Sequence, residues 1–394
     1  MNETQSHPSK SKIWIGVDIG GTKTAVVLSS DPPAMLSRVE FPTLPDQGPE
    51  RAIELIKQSI HRLIGSSGID RSMLGDIGVS CGGPLDQDAG VIQAPPNLAT
   101  WVDVPITSIL GAEFGLTCRI ENDANAGAVA EHRFGAGQGT RHMVFLTMGT
   151  GLGAGVITDG RLLRGASGQA GEIGHVRLTA SGPVGYNKAG SVEGWASGAG
   201  MAQVACQEVE AAIKNGKNTV LAAEFEKNGV LTAKDVAEAA QQGDDLARQI
   251  IRETGSRLGE GLAILVDVFN PERIVIGGLA MRMGENLLAP ARLAMQREAL
   301  PASAKICQVV PAALGERIGD VSAICVAMGI LSSALLIAQV CCEFNIVAAS
   351  EGEQANRKPE SSRKTHLRAP KVSSLRSRKS CEGEACESPE REQA

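Results

Sequence analysis

The chain has 394 residues, of which 43% are hydrophobic, 21% charged and only 3% aromatic, and its formal net charge is -6. That length suggests two or three domains and excludes a small stapled module, while the acidic balance argues against nucleic acid as the main partner of the whole chain. With 46 glycines and so few rings, any core must rest on aliphatic side chains and close backbone packing. Nine cysteines lie at irregular spacings with no C-x-x-C pair, which reads as reduced thiols in a cytoplasmic protein. No apolar run precedes Ile13, so no signal peptide is expected.

Residues 13–29 hold two apolar stretches, IWIGV and AVVLSS, broken by DIGGTK, a pattern that predicts two strands joined by a glycine hairpin. Residues 50–64 have helical apolar spacing, 76–81 read as a short strand, and an apparent strand at 117–121 leads into a helix at 124–134. Residues 141–159 repeat the opening plan as MVFLT, MGTGLGAG and VIT, which suggests a duplicated architecture whose halves each begin with a sheet edge turned to a shared cleft. A long helix is expected over 244–268, stopped at Asn270-Pro271, with a strand at 273–276 ending in Gly277-Gly278. Strands and helices alternate throughout, so the fold class is α/β.

Residues 321–342 carry no charge over 22 positions, long enough to span a bilayer. Ser322, Gly329, Ser332, Ser333 and Gln339 interrupt the run and no aromatic anchors or basic edge flank it, so a core helix is expected and no membrane span. The last 45 residues hold ten Lys or Arg, eight Asp or Glu and no aromatic, a composition that predicts a disordered charged tail over 347–394. Its basic part, 357–379, could touch an acidic partner.

Glycines in Asp18–Lys23 let backbone amides approach an anion, with Thr22 adding a hydroxyl and Lys23 a charge; an ordinary hairpin fits equally well. It is not a Walker loop, because Thr22 stands where the lysine must be and a strand follows instead of a helix. The G-x-G-x-G of residues 149–153 is likewise followed by a strand and lacks the ribose-binding acid of a Rossmann site. Two such hairpins across a cleft would suit the two ends of a triphosphate. Asp123, in ENDANA, either caps the following helix or presents a carboxylate at a strand end, and position alone leaves both open. Glu172 and His175 of GEIGH, and Glu193, have the acceptors and donors to bind several hydroxyls at once; each is otherwise an ordinary solvated side chain.

DIGGTK, GGPLD at 82–86, PPNLATW at 95–101, ENDANA at 121–126, TMGTGLGAG, GEIGH and IGG at 276–278 occur in an order and spacing that resemble the ROK family of sugar kinases and sugar-responsive repressors. The likeness covers about residues 13–346. It implies an actin-like, ribonuclease-H-like fold of two domains, with ATP and a hexose in the cleft between them. By this resemblance, Asp18, Gly20, Gly21, Thr22 and Lys23 would meet phosphates and Mg²⁺, Thr147, Gly149, Thr150 and Gly151 the other phosphate side, and Gly277 and Gly278 the adenosine. Asn97, Asn122, Glu172, His175 and Glu193 would bind sugar hydroxyls, and Asp123 would be the general base. The domains would be 13–122, completed by a helix over 321–346, and 123–320, in a homodimer.

Two departures from the family stand out. Its structural zinc uses the His of GEIGH and three cysteines, but Val184, Tyr186 and Ser191 occupy the cysteine positions, so no closed zinc site is expected and His175 is left for substrate. The repressors carry a DNA-binding module ahead of the sugar module, and only twelve residues precede Ile13 here. The expected activity is therefore ATP-dependent phosphorylation of a hexose, glucose at its 6-hydroxyl first, with fructose, mannose, allose or N-acetylmannosamine as alternatives. A non-catalytic sugar sensor and an actin-like ATPase are the rivals from other classes.

Overall fold

The computed structural model describes residues 12–330. Its first sheet is built from β1 (Ile13–Ile19), β2 (Lys23–Ser29), β3 (Ser37–Pro42), β4 (Leu74–Cys81) and, beyond the short hairpin of β5 (Leu85–Asp86) and β6 (Val91–Ile92), β7 (Cys118–Asn122). Helices α1 (Pro49–Ser66) and α2 (Ile106–Phe114) accompany it, and α3 (Asp123–Phe134) leaves from the end of β7. The strand order is β3-β2-β1-β4-β7, with β1 to β3 antiparallel neighbours and β1, β4 and β7 parallel.

The second sheet repeats that topology. It contains β8 (Met143–Met148), β9 (Leu152–Thr158) and β10 (Arg161–Leu162), then β13 (Arg273–Ile276) and β14 (Gln308–Pro311), in the order β10-β9-β8-β13-β14. Between β10 and β13 lie the small hairpin β11 (Val184–Gly185) and β12 (Lys188–Ala189), and the helices α4 (Val192–Ala196), α5 (Gly198–Lys214), α6 (Val220–Asn228), α7 (Ala233–Gln241) and α8 (Asp245–Phe269). Helices α9 (Leu279–Met283), α10 (Glu285–Glu298) and α11 (Pro301–Ile306) precede β14, and α12 (Ile318–Ala327) follows it. The glycine units thus form hairpins as the sequence predicts, but β1 and β8 lie at the middle of their sheets, not at an edge. Each gains a parallel neighbour on its other side, brought back by a helical crossover.

Register fixes where a site can form. Ile19 pairs with Cys81 and Cys81 with Asn122, so three parallel strands end along one line, where open α/β sheets hold ligands. Helices α12 and α3 fill the space between the sheets: α12 packs on β1 and β4, α3 on β8 and β9, and the two pack on each other. Gly78 of β4 has no room for a β-carbon against the backbone of Ala323 and Ala327, so the helix can lie directly on the strand. Val321, Ile324 and Val326 of α12 are fully buried, each contributing about 1.5–3 kcal/mol. No helix among the described residues is long and apolar enough to cross a membrane. The uncharged run from residue 331 on, and the tail with its basic stretch, lie outside the described residues.

Candidate active site

At the line of strand ends, Asn122 and Asp123 divide the two roles that the sequence leaves open. Asn122, not Asp123, is the N-cap of α3: its Oδ1 accepts from the amides of Ala124 (2.9 Å) and Asn125 (3.3 Å). Asp123 is the first helical residue; its Oδ1 accepts from the Ala124 amide at 2.8 Å. Its Oδ2 lies toward Gly82, where an added β-carbon would stand 3.9 Å from Asp123 Oδ2 and 3.7 Å from Asn97 Oδ1. The side chain is open to water yet ringed by protein, and this burial raises its pKa against the lowering effect of the Ala124 amide. Asn97 projects from the turn Pro96–Leu98, which is anchored by the buried Leu98 and Trp101. It abuts the first glycine turn so closely that a β-carbon on Gly21 would stand 2.7 Å from its own.

Asp18 ends this floor one strand over. Its carboxyl is raised from 3.8 to about 7 by burial first, then by the charges of Asp123 and Asp320, with Lys23 pulling the other way. Neighbouring Cys81 is buried, and desolvation lifts its thiol well above the ordinary range, so it remains a protonated wall and no nucleophile. Lys23 is turned to Glu40: its side chain is 59% exposed and its ammonium lies 2.9 Å from that carboxylate, which also holds Arg38 at 2.6 Å. Arg38 in turn reaches the buried Asp320 of α12 at 2.8 Å. Gly20 and Thr22 are braced by Thr43, whose hydroxyl donates to Gly20 O (2.6 Å) and whose amide donates to Thr22 O (3.1 Å).

The second turn belongs to the other sheet, where Gly153 of β9 packs close to Ala124 of α3. Gly149 O accepts from Gly198 N (2.8 Å) and Thr150 O from Ala199 N (3.1 Å), so the start of α5 holds it. Gly278, with φ of 66°, packs on Met148 O so tightly that no β-carbon fits, while Gly277 N donates to Leu146 O at 2.8 Å. Thr147, next to last in β8, is half-buried. Glu193 Oε2 accepts from the amide of Leu152 at 3.0 Å and crowds Gly151. It is therefore a brace of this turn as well as an acid near the expected sugar. Burial first, then the charge of Glu193, raise the Glu172 carboxyl, with His175 lowering it and Asp123 raising it. Glu193, His175 and Asp123 are thus electrostatic neighbours of Glu172.

The segment after His175 is held without thiolates. Tyr186 and Asn187 both have positive φ, 40° and 61°, and form the turn between β11 and β12. The Gln203 side chain pairs with both the amide and the carbonyl of Val184, each at 2.9 Å, as a neighbouring strand would. Ser191 caps α4 through Gly194 N at 3.0 Å, and Lys188 Nζ donates to His175 O at 2.7 Å. The His175 ring, exposed, meets Tyr186 edge-on with centroids 6.1 Å apart. Among the described residues no cluster of three or more His, Cys, Asp or Glu could hold a metal ion.

The model of the ROK family matches residues 14–329. The chain belongs to the ROK family. A glucokinase from Halalkalibacterium halodurans is 34% identical over 308 residues, 78% of this chain and 92% of that protein. A xylose repressor from Caldicellulosiruptor bescii is 30% identical over 279 residues, 71% and 68% of the two chains. The solved ROK family glucokinase from Streptomyces griseus, in complex with glucose and AMPPNP, superposes with a TM-score of 0.65 at 33% identity, covering 79% of this chain and 98% of that one. The α/β fold with two repeated sheets is that of the ROK sugar kinases, the actin-like ATPase fold.

Three residues with prominent contacts here escape a reading of the sequence. Glu121 was visible only as the first letter of ENDANA, Arg164 as one more loop arginine, and Thr43 gave no signal at all. Their contacts depend on which loops meet across the sheets, information that no local pattern carries.

Proposed function

We propose that this ROK protein is an ATP-dependent hexose kinase that transfers the terminal phosphoryl group of MgATP to a sugar hydroxyl, glucose at its 6-hydroxyl being the first candidate. The observation that carries the reading is Asp123: an accessible carboxylate of raised pKa, at the first position of a helix, which shares the space beside Gly82 with Asn97. A general base is most effective when its pKa approaches the working pH, and such a base contributes roughly 10² to 10⁴ in rate. Asp123 takes the proton of the attacking hydroxyl. Asn122 Nδ2, whose partner oxygen is committed to the cap, together with Asn97, Glu172, His175 and Glu193, holds the sugar.

MgATP enters as co-substrate. With Asp320 already paired to Arg38, the carboxyls of Asp18 and Asp123 would fit a divalent cation brought by phosphates, since Mg²⁺ needs only one or two carboxylates besides them. When bound, Mg²⁺ neutralises charge developing on the transferred group. Amides of Gly21, Thr22, Thr150 and Gly151 supply the phosphate cradle, those of Gly20 and Gly149 closing the turns themselves on Lys23 O and Gly151 O, and Gly277-Gly278 lie toward the adenosine. Lys23 is paired with Glu40, which it shares with Arg38, and would have to leave that carboxylate to meet a phosphate. The proposal divides the described chain between Asn122 and Asp123 and pairs two copies in a dimer, as the family likeness implies.

Coupled ADP release measured over a panel of hexoses, with Asp123→Asn alongside, tests the reading; wild-type turnover that needs no sugar would overturn it. A sugar-binding regulator is the second reading, favoured by the 30% identity to a repressor. Binding of hexose with no turnover in the same assay distinguishes it.

A further inference from the structure

Glu121 is 1% exposed at the end of β7, and its two carboxylate oxygens serve different parts of the molecule. Oε1 accepts from the Asn122 amide (3.1 Å), Asn125 Nδ2 (3.1 Å) and Gln87 Nε2 (3.3 Å), all on the side of the first sheet. Oε2 accepts from Arg164 Nε (3.1 Å) and Nη2 (2.8 Å), and Arg164 follows β10 of the second sheet. The Arg164 carbonyl closes the next loop by accepting from Ala170 N at 3.0 Å, and that loop delivers Glu172. Gln87 also packs on Gly168 of this loop, leaving no room there for a β-carbon.

We propose that Glu121 is a positioning residue for phosphoryl transfer, joining the junction that presents Asn122 and Asp123 to the loop that presents Glu172 and His175 through its ion pair with Arg164. The proposal rests on the sugar-kinase reading of the cleft. Its physical basis is the division of the carboxylate. A buried charge needs all of its partners, so Oε1 fixes the backbone of Asn122 and turns the Asn125 amide toward itself, even though Asn125 Oδ1 is left without a partner. With Oε2 held by a planar guanidinium, the carboxylate cannot rotate without releasing one side. Base and sugar-binding loop therefore keep a common frame, and misplacement of reacting groups by about 1 Å can cost on the order of 100-fold in rate.

Glu121→Gln keeps the shape but turns an amide donor toward donors on one side; Arg164→Met removes the tie, and Arg164→Lys keeps only the charge. With glucose and MgATP, Glu121→Gln and Arg164→Met are expected to lower kcat/KM for glucose by about 10- to 100-fold per active site, with the KM for MgATP within about twofold. Arg164→Lys should recover part of the Arg164→Met loss, and it keeps the test open if Glu121→Gln fails to fold. A merely structural role predicts a lower melting temperature and fewer active molecules with both KM values unmoved, and that result overturns the proposal. Equal movement of the MgATP and glucose KM values overturns it as well. If the wild type turns over no hexose, the parent reading has failed instead. Hydrogen exchange over 164–172 in Glu121→Gln then still reads the tie itself, with faster exchange expected and unchanged exchange refuting it.

Discussion

The two glycine turns stand on sheets of the same topology, yet they are braced from opposite sources. The first is held from within its own sheet, by Thr43 beyond β3, and its charged residue Lys23 is turned to Glu40 on β3. The second is held by elements outside its sheet: the start of α5, Gly278, and the carboxylate of Glu193. A repeated topology thus gives two turns of similar form and different dependence. The first responds to changes in its hairpin, the second to changes at the sugar residues.

Removing what both turns serve should have the largest effect. Asp123→Asn is expected to lower kcat by roughly 10²- to 10⁴-fold with little change in the glucose KM, and a loss under tenfold would mean that the base lies elsewhere. Next comes Gly278→Ala, where a positive φ and the Met148 carbonyl both oppose a methyl group. We expect a loss of about 2–4 kcal/mol in thermal or denaturant unfolding, whereas Gly20→Ala, with a single tight contact in the first turn, should cost clearly less. Equal costs would erase the distinction between the turns. Glu193→Gln weakens a charge-assisted bond of about 1.5–3 kcal/mol and should raise the KM of both glucose and MgATP, around tenfold each.

The pH dependence tests the floor of the cleft. Asp18 ionises near 7 in the folded chain and near 3.8 ordinarily, so between these values the folded form holds a proton that the unfolded form has lost. Its effect on stability is therefore a decline as pH rises from about 4 to about 7. Under the proposed function MgATP affinity runs the other way, because the ionised carboxylate would face the cation. It should strengthen about fivefold from pH 6 to 7, about twofold more to pH 8 and level off above, a slope that Asp18→Asn should flatten. The smallest change is expected for Thr43→Val, which removes about 1 kcal/mol of hydrogen bonding from the first turn and should raise only the MgATP KM, about fivefold. A parallel shift in the glucose KM would show that the turns are not independently braced.

The hairpins were legible because each alternates apolar strands with a glycine break, and the helix 245–269 because Leu258, Leu262 and Leu265 repeat on one side before Asn270-Pro271. The central place of β1 and β8 was not, since a hairpin pattern says nothing about the parallel strand that a crossover later supplies. At the site, the ordered motifs pointed to Asn97, Asn122 and Asp123; the end of β7 presents the last two, and the turn Pro96–Leu98 brings Asn97 beside Asp123 at Gly82. Which of two adjacent residues caps α3 needed backbone geometry, because both Asn and Asp are good caps. The engagement of Lys23 with Glu40, and of Glu193 with the Leu152 amide, likewise arises from contacts between segments distant in sequence.

Helix α12 has a consequence for biosynthesis. It covers β1 and β4, strands that leave the ribosome well before it, and is itself among the last of the described residues to be translated. A nascent chain that has completed β7 must therefore wait with one apolar sheet face unprotected until residue 327 emerges. Such a chain is a natural client for holding chaperones, and truncation before residue 318 should yield aggregate instead of a free-standing amino-terminal half.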